Sequence, residues 1–162
     1  MRKLILILTT LLLLSAVNVT IYQREELIHA GRLVLLELAP VDPRSLMQGD
    51  YMALRFKVVE QAFNRENIET LDDGYLVVTL DERNVATFDR FAQSTVLAKN
   101  EARLRYRFRN GRGKLGTNAF FFQEEDAGKY EKARFGEFRV DLDGEAILTR
   151  LRDKDLAVLG LD

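Results

Sequence analysis

The sequence predicts a mainly β domain behind an N-terminal transmembrane helix: an antiparallel meander, barrel-like or sandwich-like, with one or two short helices. Three observations predict it. An uncharged apolar run opens the chain, apolar and polar residues alternate with period two in several later segments, and turn residues punctuate those segments at short intervals. At 162 residues the chain has the length of one ordinary domain and can enclose a real core.

The opening run comes first. After Arg2 and Lys3, residues 4–22 carry no charge, and twelve of those nineteen are Leu, Ile or Val. Nineteen helical residues reach about 28 Å, the thickness of a bilayer's hydrocarbon core. The twelve branched residues favour insertion by about 4–7 kcal/mol, partly offset by Thr9, Thr10, Ser15, Asn18 and Thr20. A cleaved signal peptide would show a shorter run and a small-x-small site, and in Ser15-Ala16-Val17 the valine fills a position that demands a small residue. Residues 1–22 therefore read as a retained anchor. Arg2 and Lys3 hold its start in the cytoplasm, which puts residues 23–162 on the far side of the inner membrane, in the periplasm or outside the cell.

Residues 23–30 continue the anchor helix, and Gly31 ends it. A strand follows at 32–38, then a loop at 39–49 shaped by Pro40 and Pro43. Residues 51–59 alternate, with Met52, Leu54, Phe56 and Val58 on one face, and read as a half-buried strand. Residues 60–70 read as a short helix or loop. Strands at 74–80 and 85–91 flank the turn Asp81-Glu82-Arg83-Asn84. Residues 95–101 fit coil or a helical turn. Ala102, Leu104, Tyr106 and Phe108 then alternate with Arg103, Arg105, Arg107 and Arg109 up to the turn Asn110-Gly111. A strand at 117–122, a surface helix at 123–133, and a hairpin closed by Asp143-Gly144 between alternating residues 137–142 and a strand at 145–151 complete the domain.

Composition excludes several chemistries. The 24 Lys plus Arg balance 25 Asp plus Glu, so no global positive field exists to hold nucleic acid. Cysteine is absent, and the single histidine, His29, directly follows the anchor. Disulfides, thiolate chemistry, a Ser-His-Asp triad and a histidine-based metal site are thereby excluded from the domain, and no cofactor is implied.

Two features are left as candidate sites. The first is the segment Pro40-Val41-Asp42-Pro43-Arg44-Ser45-Leu46, followed by Gly49-Asp50-Tyr51-Met52-Ala53-Leu54-Arg55-Phe56. Pro40, Pro43 and Gly49 shape the turns, and Leu54 and Phe56 point into the core. Asp42, Arg44, Asp50 and Tyr51 could present a binding surface. This segment resembles the signature of the bacterial GDYXXLXY family, with Phe56 in place of the final tyrosine. Phe120-Phe121-Phe122 with Glu124, and Ala133-Arg134-Phe135, extend the likeness over most of the domain. The resemblance implies a membrane-anchored protein acting beside a polytopic inner-membrane partner, and it implies no activity. The second feature is the arginine row. Arg103, Arg105, Arg107 and Arg109 project from one strand face at intervals of about 7 Å. Together with Lys99, Arg112 and Lys114 they set seven cations against the single Glu101 over residues 99–114. The row reads either as a solvated face neutralised by a neighbouring strand, for example through Glu137 and Asp141, or as a docking surface for anionic lipid headgroups or an acidic partner.

The reading these features support is a non-catalytic accessory or binding domain. Against it stands a Ser-Lys hydrolase distantly similar to type I signal peptidases, with Ser45 before Gly49-Asp50 as nucleophile. The spacing is shorter than in those enzymes, Leu46 stands where they carry methionine, and Lys57, Lys99 and Lys114 all lie in polar sequence where a desolvated base is hard to arrange.

Overall fold

The computed structural model describes residues 2–39, 47–48, 51–63, 72–92, 96–109 and 111–160. Helix α1 spans Arg2–Ala30 without interruption. It is long and apolar enough to cross a membrane, and its apolar window is not buried against the domain. Its hydroxyl and amide side chains turn back onto the helix: Thr9, Thr10, Asn18 and Thr20 each donate to a carbonyl three or four residues earlier. Within lipid such bonds would satisfy the polar groups that otherwise oppose insertion.

The helix stops before Gly31, and that position is glycine for a steric reason. Its N–H donates to the Leu27 carbonyl at 2.9 Å, and a Cβ on residue 31 would collide with that oxygen and crowd Arg139 Cβ. Strand β1 (Arg32–Glu37) begins at the next residue.

The strands that follow are β2 (Met47–Gln48), β3 (Tyr51–Ala53), β4 (Gly74–Leu80), β5 (Ala86–Phe91), β6 (Glu101–Arg109), β7 (Arg112–Leu115), β8 (Ala119–Phe121), β9 (Phe135–Val140) and β10 (Ala146–Arg152). They form three antiparallel sheets, ordered β1-β9-β10, β2-β3-β8 and β5-β4-β6-β7. Hairpin neighbours pair at β4–β5, β6–β7 and β9–β10, while β1–β9 joins the two ends of the domain. The sheets share one core. Val34 and Leu36 of β1, Phe138 of β9 and Leu151 of β10 meet Leu76 and Val78 of β4 and Leu104 of β6, all fully buried. On the ladder β6 behaves as its alternation requires, with Ala102, Leu104 and Tyr106 buried and Arg105, Arg107 and Arg109 exposed.

Four local expectations change. The strand read over 51–59 ends at Ala53, and helix α2 (Lys57–Phe63) begins where alternation still held. Leu54 and Phe56 stay buried, but the chain turns at Phe56, whose carbonyl receives the amides of Val59 and Glu60. Val58, Ala62 and Phe63 then share a helical face toward the core, so the apolar residue at 58 belongs to both periods. Phe63 packs its ring 5.0 Å from Tyr106 and 5.6 Å from Phe91. The surface helix read over 123–133 reduces to a 3-10 turn, Glu124–Asp126, and one α-turn, Ala127–Tyr130, which Gly128 weakens. Leu142 sits in the hairpin turn at 94% exposure instead of on the core face. Glu137 is buried and belongs to Arg152, so it does not neutralise the arginine row.

Candidate functional site

Of the motif residues, Pro40, Asp42, Pro43, Arg44, Ser45, Gly49 and Asp50 lie outside the described residues. The described part is structural. Leu54 is buried, and Phe56 is buried with its ring edge-on to Phe138 at 5.3 Å. The last motif position in this chain is therefore a packing position. Tyr51 faces the other way on β3, across the ladder from Phe121 of β8, with ring centroids 5.8 Å apart. Phe121 is 74% exposed. The pair makes an aromatic surface, and of its two members the sequence pointed only to Tyr51. The run Phe120-Phe121-Phe122 carried the missing signal: Phe120 and Phe122 pack on Tyr130, and alternation turns Phe121 outward.

The arginine row falls on one face of β6, but its members differ in circumstance. Arg103 is mostly enclosed. Its guanidinium lies 4.7 Å over the Tyr75 ring and donates from Nη2 to the Leu142 carbonyl at 2.8 Å, while its Nε is buried without a hydrogen-bond partner. Arg105 donates from Nη1 to Glu145 Oε1 at 2.5 Å. Arg109 clamps Asp73 through both Nη atoms, at 2.6 and 2.9 Å, and Asp73 also accepts from the Phe108 amide. The Arg109 hydrogen bonds, then that amide, hold the Asp73 carboxyl below its ordinary range. Arg107 has no ion pair among the described residues and stands directly opposite Lys114 on β7. The neutralising groups are thus Glu145 and Asp73, with Asp143 at 3.7 Å from Arg103, all supplied by turns. Asp141 instead accepts from the amides of Asp143 and Glu145 and fixes the β9–β10 turn.

At the start of β6, Glu101 receives both Nη atoms of Arg90, at 2.7 and 3.1 Å, and the Ala98 amide at 2.9 Å. The Arg90 hydrogen bonds and then the Ala98 amide pull its carboxyl down to about 2. Arg32, the first residue of β1, reaches the Glu101 and Lys99 carbonyls at 2.6 and 2.8 Å. The chain leaving α1 is thereby tied to the strand that bears the arginines.

All seven lysines of the chain are exposed, and Lys57 pairs with Glu37 at 3.0 Å. None is desolvated as the base of a Ser-Lys dyad has to be.

A family model described as GDYXXLXY protein matches residues 13–151. No curated protein and no solved structure matches the chain.

Proposed function

The chain belongs to the GDYXXLXY family, and we propose that it serves there as a non-catalytic accessory module tethered to the bacterial inner membrane. In this reading α1 is an uncleaved signal anchor with its start in the cytoplasm, and the β domain works in the periplasm beside a polytopic membrane protein. The observation that supports the reading is the direct passage from α1 through Gly31 into β1, which, with α1 across a bilayer, would hold the domain close to its surface. Confinement there raises the effective concentration of a membrane partner, so modest contacts suffice. The surface offered to that partner is Phe121 with the half-buried Tyr51 beside it, because an exposed aromatic side chain gains most when an interface covers it. Asp42, Arg44 and Asp50 border it in sequence. The exposure of every lysine supports a binding role over Ser45 catalysis.

The test is photo-crosslinking in intact membranes from a reactive side chain placed at position 51. A discrete adduct with an integral membrane protein is expected, lost on Phe121→Glu. Absence of any such adduct, together with hydrolysis by the purified protein that Ser45→Ala abolishes, would replace this reading with the enzymatic one.

A further inference from the structure

A groove of about 880 Å³ separates the last turns of α1 from the outer face of β6. One wall is Thr20, Gln23 and Arg24 of the helix, and the facing wall carries Arg103, Arg105 and Arg107. Thr20 lies within the uncharged run of residues 4–22, and Arg24 is the first charge beyond it. A groove with that wall opens at the depth where a membrane-crossing helix leaves the hydrocarbon and enters the headgroup layer.

The carboxylates around the groove are largely engaged. Glu101 is held by Arg90, Glu145 by Arg105 and Asp141 by turn amides. Arg103 meets Asp143 only at 3.7 Å, and Glu26 and Asp141, which no ion pair neutralises among the described residues, face Arg24, Arg32 and Arg107.

The cations are less settled. Arg107 faces Lys114 and Arg109 faces Arg112 as directly opposed pairs on one side of the β6–β7 hairpin. Of these four, Arg109 alone has an ion-pair partner, Asp73, among the described residues. Like charges directly opposed on a ladder destabilise it unless an anion lies between them. The buried Nε of Arg103 adds an unused donor. Leu142, also lining the groove, is 94% exposed, and Val96, the sequence neighbour of the lining residue Leu97, is 78% exposed. Cations beside protruding aliphatic side chains match a bilayer interface, where the charges meet phosphates and the aliphatic groups enter the acyl boundary.

We propose that this groove binds the phosphate of an anionic phospholipid from the leaflet into which α1 emerges. Arg107, which lines the groove, takes its charge with help from Lys114, which lies outside the lining but directly opposite Arg107 on the ladder, and Leu142 dips beside its chains. The inference goes beyond the accessory role and rests only on α1 crossing a bilayer. No protein partner enters it.

The test uses the full chain reconstituted in phosphatidylcholine bilayers carrying spin-labelled phosphatidylglycerol or spin-labelled phosphatidylcholine, with the motionally restricted fraction read by electron paramagnetic resonance. Phosphatidylglycerol should be preferred by about 5-fold or more, the factor expected for loss of one interfacial cation. The preference should fall to parity in the Arg107→Glu, Lys114→Glu double variant. Since that variant exchanges one like-charged pair for another, its unfolding temperature checks folding, and Arg107→Gln, Lys114→Gln, which removes the repulsion, serves if it falls. Equal restriction of both lipids by the unaltered chain, or selectivity that survives in a folded variant, overturns the proposal. Full displacement of phosphatidylglycerol by inorganic phosphate would assign the groove to a free anion and overturn it as well.

Discussion

Arg152 lays its guanidinium on the buried carboxylate of Glu137, with Nε and Nη2 at 2.7 and 2.6 Å from Oε2. Glu137 is 3% exposed, and Thr149 donates to it at 3.3 Å. Arg152 Nη1 meanwhile donates to the Leu156 carbonyl at 2.6 Å, so one arginine ties β9, β10 and the C-terminal turn together. Removing one partner strands a charge in the interior. Glu137→Ala should therefore cost about 3–5 kcal/mol, whereas the joint change Glu137→Leu, Arg152→Met should be close to neutral. Urea unfolding of the full chain in detergent micelles checks both. Equal losses in the single and double variants would show that packing, not the charge, decides.

The Glu101 clamp predicts a pH dependence. Its folded carboxyl titrates at about 2, below the ordinary value of 4.5, because Arg90 and the Ala98 amide hold the charged form. A depressed carboxyl contributes stability that is fully present above its unfolded value and lost as pH falls through its folded value. The unfolding temperature should thus decline between about pH 5 and pH 2, and Glu101→Gln should flatten that decline while lowering the plateau near neutrality. Asp73, shifted the same way by Arg109, contributes in the same direction.

Three turns in the domain are built alike. Asp81, Asp141 and Asp153 each accept, through Oδ1, from the amides two and four residues on, and the fourth residue of each turn has a positive φ: Asn84 at 62°, Gly144 at 85° and Leu156 at 65°. Asn and Gly tolerate that region, and leucine does not. Leu156→Gly should therefore stabilise the protein by up to about 1 kcal/mol. Gly144→Val should destabilise it by more, since a Cβ there also meets the Arg103 carbonyl and the Tyr75 ring. Shifts of the urea midpoint at constant slope would establish this, and a loss of stability in Leu156→Gly would mean that the leucine side chain matters more than its backbone.

Topology is tested directly by fusions after Asp162. Alkaline phosphatase should be active there, and a fluorescent protein that matures only in cytoplasm should stay dark. The opposite pattern would refute the periplasmic placement.

The sequence made the sheet positions legible wherever one period ruled. The alternation of β6 gave both its buried residues and its arginine face, and Asp143-Gly144 gave a turn. Where two periods overlapped, as at Phe56 to Val58, the strand was extended into a helix. The third Asp turn went unread because Leu156 occupies the position at which Asn or Gly announces such a turn. Partners across the chain were the least legible part. Asp73 and Glu145 meet the arginines only because β4 and the β9–β10 turn flank β6, and β1–β9 pairing gave no local signal that Glu137 would be enclosed. The Tyr51–Phe121 pair likewise depends on the β3–β8 register.

The junction at Gly31 has a mechanical consequence. Leu27 is buried against the domain, Gly31 leaves no slack between α1 and β1, and Arg139 grips the Gly31 carbonyl at 3.2 Å. A tether of flexible residues would let the domain tumble and sweep a volume above the lipid. With α1 across a bilayer, this joint would instead transmit torque, so the domain would turn with its helix and drift sideways but could not change its height or lean independently. An encounter with a neighbour in the same bilayer then becomes a search over one angle in two dimensions.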